Sequence, residues 1–413
     1  MTGDYDILIV GGGLAGASLA CALTASAYRV ALIEAHTRRV ASPPACDERS
    51  VALAFGSRRI LEGLGLWPAV RPSATPIKSI HVSERGRFGA TRLHHGEEGV
   101  EALGYVVPNR DIGQAVYARL GQQRNVDIVA PARLVDFTVD VSSVSVCVAR
   151  DTETVGTQER ELRCRLLVAA DGASSDIRRL LGIAATTADY GQTAIIANVT
   201  PSRDHAFTAY ERFTDAGPLA LLPMREGRCS LVWTHTAAGA ATAMRLRDAE
   251  FLERLQTRFG YRRGRFIKAG ARQAYPLSLT VAHELVAPRA VLIGNAAHAL
   301  HPVAGQGFNL ALRDVAELAD LLCAHAPHDP AEPALLKRYA DRRRVDLHST
   351  ARFTDVLARA FVNPFTPLIW ARGAALLALD TIPPLRHALA RRAMGLSGHV
   401  PRLTSGVALA DLR

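Results

Sequence analysis

Three glycines and a glutamate near the N-terminus have the spacing of a nucleotide-binding turn. Residues 11–16 read GGGLAG, which places Gly11, Gly13 and Gly16 in the pattern Gly-x-Gly-x-x-Gly. Such glycines allow a tight turn and let backbone N–H groups approach a pyrophosphate. Glu34 follows at the distance where a carboxylate accepts hydrogen bonds from ribose hydroxyls and repels a 2′-phosphate, which disfavours NADP at this site. The pattern predicts a site for the ADP part of a dinucleotide and leaves FAD and NAD as alternatives.

The residues around this turn predict the βαβ unit that would position it. Residues 7–10 and 30–33 are apolar runs typical of buried parallel strands, and the small uncharged residues between them favour a closely packed helix. Ala15 lies at the start of that helix, where free N–H groups and the helix dipole favour a phosphate. Residues 7–27 carry no charge and are long enough to span a bilayer, but the clustered glycines and the change of composition argue against a transmembrane helix.

Two later stretches also predict a buried strand followed by a turn. Residues 166–170 predict a strand that ends at Asp171 and Gly172, and the turn leads into a helix. Asp171 either binds the dinucleotide or caps its own turn, and the two roles are compatible. Residues 290–293 predict another strand, which ends beside Asn295.

A second glycine-rich loop follows that strand and leads into a second helix. A long cofactor requires such a second helix N-terminus, because its N–H groups would stabilise negative charge on the pyrimidine edge of a reduced isoalloxazine. NAD would leave this site without a role, so the pair of glycine-rich turns favours FAD. The residues of this region that we predict to bind the cofactor are Asn295, Gly305, Gly307, Phe308 and Asn309.

His301 and Pro302 precede the loop and are the candidates for catalytic residues. A histidine beside the flavin would transfer a proton, and a loop histidine bonded to backbone is an equal alternative for His301 and the favoured one for His298. Pro302 has no reactive group, but its fixed φ would shape the wall where dioxygen meets the ring. The sequence contains no Ser/His/Asp elbow, HExxH motif or set of metal ligands, so hydrolase and metal-dependent chemistry lack support.

The ordered motifs resemble those of the FAD-dependent aromatic hydroxylases of the para-hydroxybenzoate hydroxylase type. Gly11–Gly16 with Glu34 matches the ADP motif of that family. Residues 171–178 (DGASSDIR) match its DGxxSxxR motif, and residues 294–302 match its GDxxHxxxP region, with Asn295 in place of the usual Asp. This resemblance covers most of the chain.

A narrower resemblance points to the ubiquinone-biosynthesis branch of that family. It rests on residues 211–224 (ERFTDAGPLALLPM) and 301–314 (HPVAGQGFNLALRD), and Asn295 also fits that branch. The resemblance implies that Arg49 contacts the flavin or its pyrophosphate and that Arg110 opens a helix toward the cofactor, each with a surface arginine as the alternative. Asn295 keeps an acceptor for a ribityl hydroxyl but lacks the charge of Asp, which predicts easier reduction of the flavin.

The resemblance implies an FAD-dependent NAD(P)H:aromatic monooxygenase. In this family reduced flavin and dioxygen form a C4a-hydroperoxide, which hydroxylates an electron-rich phenol when water is excluded. The narrower resemblance implies a polyprenylated phenol, similar to 2-polyprenyl-6-methoxyphenol, in ubiquinone biosynthesis. NAD(P)H is expected as a transient reductant, because the sequence has no second Gly-x-Gly-x-x-Gly. The alternatives are a hydroxylase of a small soluble aromatic acid and a non-catalytic FAD-bound scaffold of a biosynthetic complex.

The predicted fold class is α/β, with a Rossmann-like FAD-binding domain of the glutathione-reductase type, an interleaved antiparallel-sheet substrate domain and C-terminal helices. Alternating short runs from about residue 190 to 275 predict that sheet over the flavin, and residues 77–94 predict further strands of it. The predicted FAD-binding domain comprises residues 1–76, 105–184 and 276–349, the substrate domain residues 77–104 and 185–275, and the C-terminal helical segment residues 350–413.

Composition and charge favour a globular protein without nucleic acid as a partner. The 413 residues are 48% hydrophobic and 21% charged, and 49 basic against 39 acidic residues give a net charge of +10. The basic residues are nearly all arginines and are scattered rather than gathered with aromatics into one patch. Six cysteines without a CxxC pair suit a reducing compartment, and the N-terminus lacks the basic region of a signal peptide. These features predict a cytoplasmic protein.

The C-terminal segment predicts helices with apolar runs at residues 361–370 and 373–379, separated by Arg372. Each run is too short to span a bilayer. The runs either pack on the FAD-binding domain or form an interfacial surface that meets anionic lipid and collects a prenylated substrate. The second alternative predicts a peripheral location on the inner face of the plasma membrane. Expected partners are dioxygen, the prenylated phenol, a membrane surface and a ubiquinone-biosynthesis enzyme complex.

Overall fold

A computed structural model describes residues 4–36, 49–152 and 156–409, which form four sheets and eleven α-helices. Cys46, one of the six cysteines, lies outside the described residues. The helices are α1 (Leu14–Leu23), α2 (Phe55–Gly63), α3 (Trp67–Val70), α4 (Asn109–Leu120), α5 (Asp176–Leu180), α6 (Ala237–Arg245), α7 (Asp248–Phe259), α8 (Gln306–His325), α9 (Pro333–Ala360), α10 (Thr366–Thr381) and α11 (Pro383–Ala393).

The strands follow in chain order. The N-terminal strands are β1 (Ile7–Val10), β2 (Val30–Ile33), β3 (Ser50–Ala54), β4 (Thr75–Ile77), β5 (Ser79–Glu84), β6 (Ala90–His94), β7 (Gly104–Pro108), β8 (Val126–Val129), β9 (Arg133–Val139), β10 (Val144–Thr152) and β11 (Gly156–Cys164). The remaining strands are β12 (Leu166–Ala169), β13 (Ala185–Pro201), β14 (Thr208–Thr214), β15 (Gly217–Pro223), β16 (Cys229–Thr236), β17 (Phe266–Ala269), β18 (Gln273–Ala282), β19 (Val286–Ala287), β20 (Ala290–Leu292) and β21 (His298–Ala299).

A six-stranded sheet in the order β19-β20-β12-β1-β2-β8 organises the first half of the fold, and its strands are parallel except for β19. Its central strands consist of buried Ile, Val, Leu and Ala, as expected of strands covered on both faces. Helix α1 packs beside α4 and α8, and the antiparallel sheet β11-β10-β9 adds valines to the same core. Because β1, β12 and β20 are parallel, the turns that follow them meet at one edge of the sheet.

A second, nine-stranded sheet lies beside these turns. Its order is β21-β18-β13-β16-β15-β14-β5-β6, with β17 paired to β13. The predicted antiparallel pairing holds except between β14 and β5, which are parallel. These two strands are far apart in the chain, so no hairpin turn fixes their relative direction. Helices α6 and α7, which the strand pattern did not predict, pack on this sheet, and α7 supplies Phe251 and Leu255 to a core with Trp233.

The C-terminal helices complete the fold. Helix α9 packs against α8, and α10 packs against β6 and α11. Of the helices in the described ranges, none is by itself long and apolar enough to cross a membrane, and α10 with α11 meets both criteria only as a pair bent by 94°. Strands β5 and β6 pair within the nine-stranded sheet although they precede most of it in the chain. The residue boundaries of the two domains stay predictions.

Candidate functional site

The first glycine-rich turn connects β1 to α1 at the edge of the parallel sheet. Gly11 has φ +106°, and a Cβ there would lie 2.3 Å from the carbonyl oxygen of Ala170. A Cβ on Gly16 would lie 2.1 Å from the carbonyl oxygen of Gly11, so only glycine lets α1 approach the turn this closely. A Cβ on Gly13 would meet nothing within 4 Å. The N-terminus of α1 therefore faces open space, as a pyrophosphate site requires.

Glu34 lies directly after β2 and beside this turn. Its Oε2 accepts the backbone N–H of Gly12 at 2.8 Å, and its Oε1 accepts that of His36 at 3.0 Å. The hydroxyl of Tyr117 on α4 donates to the carbonyl of Gly12 at 2.7 Å and so holds the same glycine from the other side. A carboxylate has about four lone-pair sites, so acceptor capacity remains for ribose hydroxyls. Ribose binding by Glu34 stays a prediction.

Arg178 joins the turn after β12 to the turn after β20. Its guanidinium donates to the carbonyl of Ala296 at 2.7 Å and to that of Ala173 at 3.0 Å. Asp171 Oδ2 accepts the N–H of Ile177 at 3.2 Å, which is the capping role considered above. Asp171 Oδ1 is buried and has no hydrogen-bond partner among the described residues. A buried orphan acceptor calls for a donor, and the hydroxyls of FAD are donors of the fitting kind.

A buried ionic cluster supports the second loop from below. Asp314 Oδ2 accepts the N–H of Gly294 at 3.0 Å and lies 2.6 Å from His298 Nε2, and its Oδ1 accepts from Arg343 at 2.7 Å. Burial raises the pKa of Asp314, but His298 and Arg343 outweigh burial and keep that pKa below its ordinary value. His298 is thus a structural residue, although its partner is a carboxylate rather than the expected backbone group.

His301 and Pro302 have different positions relative to the cavity described below. Pro302 lines the cavity, whereas His301 is fully buried and is not among the described residues that line it. Its Nδ1 accepts the N–H of Val303 at 3.1 Å, and its Nε2 lies 3.4 Å from Gln192 Oε1. Burial lowers the pKa of His301 to about 4. The neutral ring thus holds the loop, and its position argues against the alternative of direct proton transfer; the role of Pro302 stays a prediction.

The loop before α8 is held in an unusual conformation. Ala304 has φ +59° and Gly305 has φ +61°, and α8 begins at Gln306, two residues earlier than predicted. The side chain of Asn309 donates to the carbonyls of Ala52 and Gly305 at 2.8 and 2.7 Å and accepts the N–H of Ala54 at 2.8 Å. This side chain is therefore a clamp between β3 and the loop. Contact with a cofactor would come from the backbone N–H groups of this helix end.

A cavity of about 1100 Å³ extends from the two glycine-rich turns to the inner face of the nine-stranded sheet. Ordinary ligand sites occupy about 300–1000 Å³, so the cavity has room for more than a small molecule. Its lining includes eight of the residues predicted to bind the cofactor, namely Gly13, Ala15, Arg49, Asn295, Gly305, Gly307, Phe308 and Asn309.

The other predicted cofactor residues lie outside this lining. Gly11 and Gly16 shape the first turn from within, and Glu34 and Asp171 lie behind the turns. Arg110 is exposed and pairs with Asp111 at 3.0 Å, which matches the surface alternative. Its contact with the cofactor stays a prediction that no contact among the described residues supports. Arg49, in contrast, lines the cavity with its guanidinium 5.4 Å from the ring centre of Tyr275.

The sheet side of the cavity is mostly apolar and, among the described lining residues, carries one charged group. Glu211, on β14, is the one carboxylic acid among the described residues that line the cavity from this sheet. Burial raises the pKa of Glu211 to about 7, although the backbone N–H of Ala304 acts to lower it. The apolar lining residues of this wall are Ile80, Val82, Leu93, Ala194, Ile196, Ala209, Phe213, Ala220, Leu222, Val232, Leu277 and Ala299.

A family model described as FAD binding domain matches residues 4–354 of the chain. The chain belongs to this FAD-binding family. It is 39% identical over 410 residues to the ubiquinone hydroxylase UbiL of Rhodospirillum rubrum, covering 98% of this chain and 93% of that protein. It is 30% identical over 399 residues to the 3-demethoxyubiquinol 3-hydroxylase of Escherichia coli, covering 95% and 98%. The predicted ubiquinone-hydroxylase branch is thereby confirmed, and the chain is an FAD-dependent monooxygenase with NAD(P)H as reductant.

Solved structures confirm the predicted fold class. The p-nitrophenol 4-monooxygenase PnpA of Pseudomonas putida superposes with a TM-score of 0.78 at 19% identity and covers 97% of this chain and 100% of its own. PqsL of Pseudomonas aeruginosa, a probable FAD-dependent monooxygenase, gives 0.74 at 22% identity and covers 90% and 99%. At these identities the likeness concerns the fold alone.

Sequence reasoning missed several residues that the site uses. Tyr117 and Asp314 are single polar residues within helices, where the sequence pattern offers no sign of their partners. Arg178 was recognised as part of a motif, but its bridge between two turns depends on their meeting in space. Glu211 could have been found, because a lone acid interrupts the apolar alternation of a predicted strand.

Proposed function

We propose that this protein hydroxylates a polyprenylated phenol in ubiquinone biosynthesis. The observation that carries the proposal is the chemistry of the cavity lining, which combines a mostly apolar sheet wall with leucines from helices α10 and α11. FAD, when bound, supplies the activation of dioxygen with electrons taken from NAD(P)H. The chain supplies the two turns that hold the dinucleotide and an apolar chamber that excludes water from the aromatic ring.

The rival substrate class, a small aromatic acid, would require a basic clamp for its carboxylate. The sheet wall carries no arginine or lysine among the described lining residues, and its one charged group is the acid Glu211. A carboxylate substrate placed against this wall would be repelled by Glu211 and desolvated without compensation. A neutral phenol avoids both costs.

The far end of the cavity favours a substrate with a long apolar tail. Leu376 and Leu379 on α10 and Leu389 on α11 line it there. The turn between β5 and β6 packs tightly against α10, because a Cβ on Gly89 would lie 2.3 Å from the carbonyl oxygen of Gly373 on that helix. An isoprenoid tail would pass between these leucines toward the bend between α10 and α11.

Turnover by the FAD-loaded enzyme tests this substrate class. With NAD(P)H and dioxygen, we expect hydroxylation of a 2-methoxyphenol that bears a short isoprenoid chain, detected by mass spectrometry. Leu379→Trp would narrow the tail passage, so KM for the prenylated phenol should rise at least tenfold while the unprenylated phenol is affected less than threefold. Leu377→Trp, an exposed position on the same helix, is the matched control.

Two outcomes of that assay would contradict the proposal. A higher kcat/KM for an aromatic acid such as salicylate would favour the rival substrate class. Bound FAD that NAD(P)H does not reduce in the presence of the prenylated phenol would favour the non-catalytic scaffold.

We also propose a peripheral contact with anionic lipid on the inner face of the plasma membrane. Phe88 and Trp370 are 46% and 62% exposed, and their ring centres lie 5.5 Å apart. Arg85 and Arg87 are exposed in the turn that carries Phe88. Exposed aromatic rings beside basic side chains are the combination that binds the interface of an anionic bilayer, and the leucine-lined end of the cavity lies on α10 behind them.

Flotation with phosphatidylglycerol vesicles tests this contact. We expect salt-sensitive binding of the wild type and at least tenfold weaker binding of the double variant Phe88→Ser, Trp370→Ser. Ile267→Ser removes an equally exposed apolar side chain from β17 and should bind like the wild type. Equal binding of all three proteins, or none by the wild type, would contradict the proposal. Membership in a ubiquinone-biosynthesis enzyme complex stays a prediction that co-purification from cells would test.

A further inference from the structure

Glu211 occupies an apolar stretch of the sheet wall. Its neighbours across the strands are Val82 on β5 and Ala220 on β15, and Ala209 and Phe213 share its face of β14. None of these four residues titrates. A carboxylate among such neighbours is costly to bury, and a costly ionisable group inside a cavity is a candidate for function.

The loop that leads into α8 meets Glu211 from the opposite side. The backbone N–H of Ala304 favours the ionised form of its carboxylate, and Oε1 is buried without a hydrogen-bond partner among the described residues. Ala304 reaches this position with φ +59°, in the left-handed region that disfavours a residue with a Cβ. The side chain of Glu211 thus lies between the sheet wall and the glycine-rich loop before α8.

We propose that the carboxylate of Glu211 accepts first the hydrogen bond and then the proton of the substrate's phenolic hydroxyl. This assignment rests on the proposed function, because it requires a phenol in the cavity. Glu211 would be a catalytic residue in direct contact with the substrate.

The proton balance of this step is simple. The phenolic O–H bond breaks, an O–H bond forms on Glu211, and the electron pair remains on the phenolic oxygen, where it enriches the ring at the ortho and para positions. The oxygen atom added to the ring comes from dioxygen through the reduced cofactor of the established activity. The dienone then takes the proton of Glu211 back on its carbonyl oxygen while the ring hydrogen leaves as a proton, so the carboxylate is regenerated.

The acidity of Glu211 suits both halves of this transfer. With a pKa of about 7 the group is available near neutral pH both as a base and as an acid, which is the condition for efficient proton transfer. An ordinary glutamate, with a pKa near 4.5, would be a far weaker base toward a phenol.

Glu211→Gln is the informative substitution, since it preserves size and polarity but cannot take a proton. In the FAD-loaded enzyme we expect kcat for the prenylated 2-methoxyphenol to fall about 100-fold with KM changed less than threefold, within the usual range for a lost general base. Glu211→Asp should recover at least a tenth of the wild-type kcat. The rise of kcat with pH near 7 should be present in the wild type and absent from Glu211→Gln. Glu226→Gln removes an exposed carboxylate from the β15–β16 turn and is the matched control.

An equilibrium measurement separates this inference from the proposed function. Binding of the prenylated phenol and of its O-methyl ether to the oxidised enzyme is compared in wild type and Glu211→Gln. We expect the wild type to prefer the phenol at least tenfold, because only the phenol donates a hydrogen bond to the charged carboxylate. The variant should show a preference below threefold, because a neutral amide oxygen accepts a weaker hydrogen bond. This preference does not depend on turnover.

The outcomes of these two experiments distinguish a failure of the role of Glu211 from a failure of the proposed function. Hydroxylation by the wild type with Glu211→Gln within threefold in kcat overturns the role of Glu211 and leaves the proposed function intact. A wild type that prefers the phenol but forms no hydroxylated product overturns the proposed function and supports the contact with Glu211. Equal preference in both proteins overturns the contact.

Discussion

The two ends of the cavity are built from different parts of the chain. At the predicted nucleotide end the atoms expected to bind the cofactor are backbone N–H groups, and the glycines contribute by having no side chain. At the substrate end the cavity is lined by side chains on strands β5, β6, β13, β14, β15, β16 and β18, which the sheet gathers from distant segments. The comparison shows that Gly11 and Gly16 at the first end tolerate no added side chain, whereas the second end tolerates exchange of one apolar residue for another.

The physical reason is the nature of the neighbouring atoms. An added Cβ on Gly11 or Gly16 would meet backbone, which cannot move without displacing β12 or α1. An added or removed methyl group on the sheet wall faces the cavity, so it changes the shape of the substrate site rather than the fold. Four predictions test this contrast, beginning with the largest effect.

Gly16→Val should produce the most severe defect at the nucleotide end. The Cβ would lie 2.1 Å from the carbonyl oxygen of Gly11, so α1 must move away from the turn. We expect loss of bound FAD and a free energy of unfolding lower by about 3 kcal/mol or more, measured by flavin absorbance and chemical denaturation. Gly121→Ala, where a Cβ meets nothing closer than 3.5 Å, is the control and should retain FAD. A yellow, stable Gly16→Val protein would break the contrast between the two ends.

Arg178→Met should weaken the bridge between the turn after β12 and the turn after β20. Two carbonyl groups, those of Ala296 and Ala173, would lose their donor, which costs about 1–3 kcal/mol for each group left buried. We expect the dissociation constant of FAD to rise 10- to 100-fold, measured from the fluorescence of the released FAD. Arg179→Met removes an exposed neighbour that pairs with exposed Asp176 and should leave FAD retention unchanged. Equal retention of FAD by both variants would show that the bridge is dispensable.

Glu211→Gln should stabilise the apoprotein at alkaline pH. The pKa of Glu211 in the fold, about 7, lies above its ordinary value of 4.5, so ionisation costs more in the folded than in the unfolded protein. That cost is absent below pH 4.5, grows as pH rises from 4.5 to 7, and is constant above 7. We expect the variant to exceed the wild type by about 2–3 kcal/mol at pH 8 and to equal it at pH 4.5 in urea denaturation.

The comparison of stability at pH 8 and pH 4.5 has a matched control. Glu226→Gln should follow the wild type at both pH values, because Glu226 is exposed and pairs with Arg228 at the surface. A stability difference for Glu211→Gln that is the same at both pH values would contradict the burial of an ionisable group at the substrate end.

Asn295→Asp, at the cofactor end of the cavity, should give the smallest effect of the four substitutions, a small change in the midpoint potential of the flavin. A negative charge placed beside the cavity disfavours the anionic reduced flavin, so the midpoint potential should fall. Asn295 is exposed, which screens the charge, and an exposed charge interaction below about 1 kcal/mol corresponds to roughly 10–20 mV for a two-electron couple. Spectroelectrochemistry of the FAD-loaded protein measures the shift, with Asn295→Ser as the neutral control. An unchanged or higher potential in Asn295→Asp would refute the role of this position.

Much of the nucleotide end could be predicted from the sequence. The strands around residues 7–10, 30–33, 166–170 and 290–293 are confirmed within a residue or two, because continuous apolar runs are typical of strands buried on both faces. The glycine spacing was informative for the same local reason, since the turn lies within six consecutive residues. Helix α8 begins two residues earlier than predicted, because Gln306 follows Ala304 and Gly305, whose left-handed conformations the sequence does not reveal.

The roles of individual polar side chains were predictable only in part. His301 was weighed as an acid or base on its place in the chain, yet its ring is buried behind the loop and holds the N–H of Val303. Asn309 lies where the motif expects it, but its side chain clamps β3 rather than facing the cavity with free donors. Whether a side chain points into a cavity depends on packing around it, which neighbouring sequence does not determine.

The sequence by itself determined the cofactor class and the positions of the turns that would hold it, because those properties depend on residues close together in the chain. The tertiary structure decided which distant residues share the cavity. It brought Glu211 on β14 to Ala304 in the loop before α8, joined two turns through Arg178, and extended the chamber to α10 and α11. The direction of the β5–β14 pair and the approach of the C-terminal helices arise from burying apolar faces together, and no local pattern encodes them.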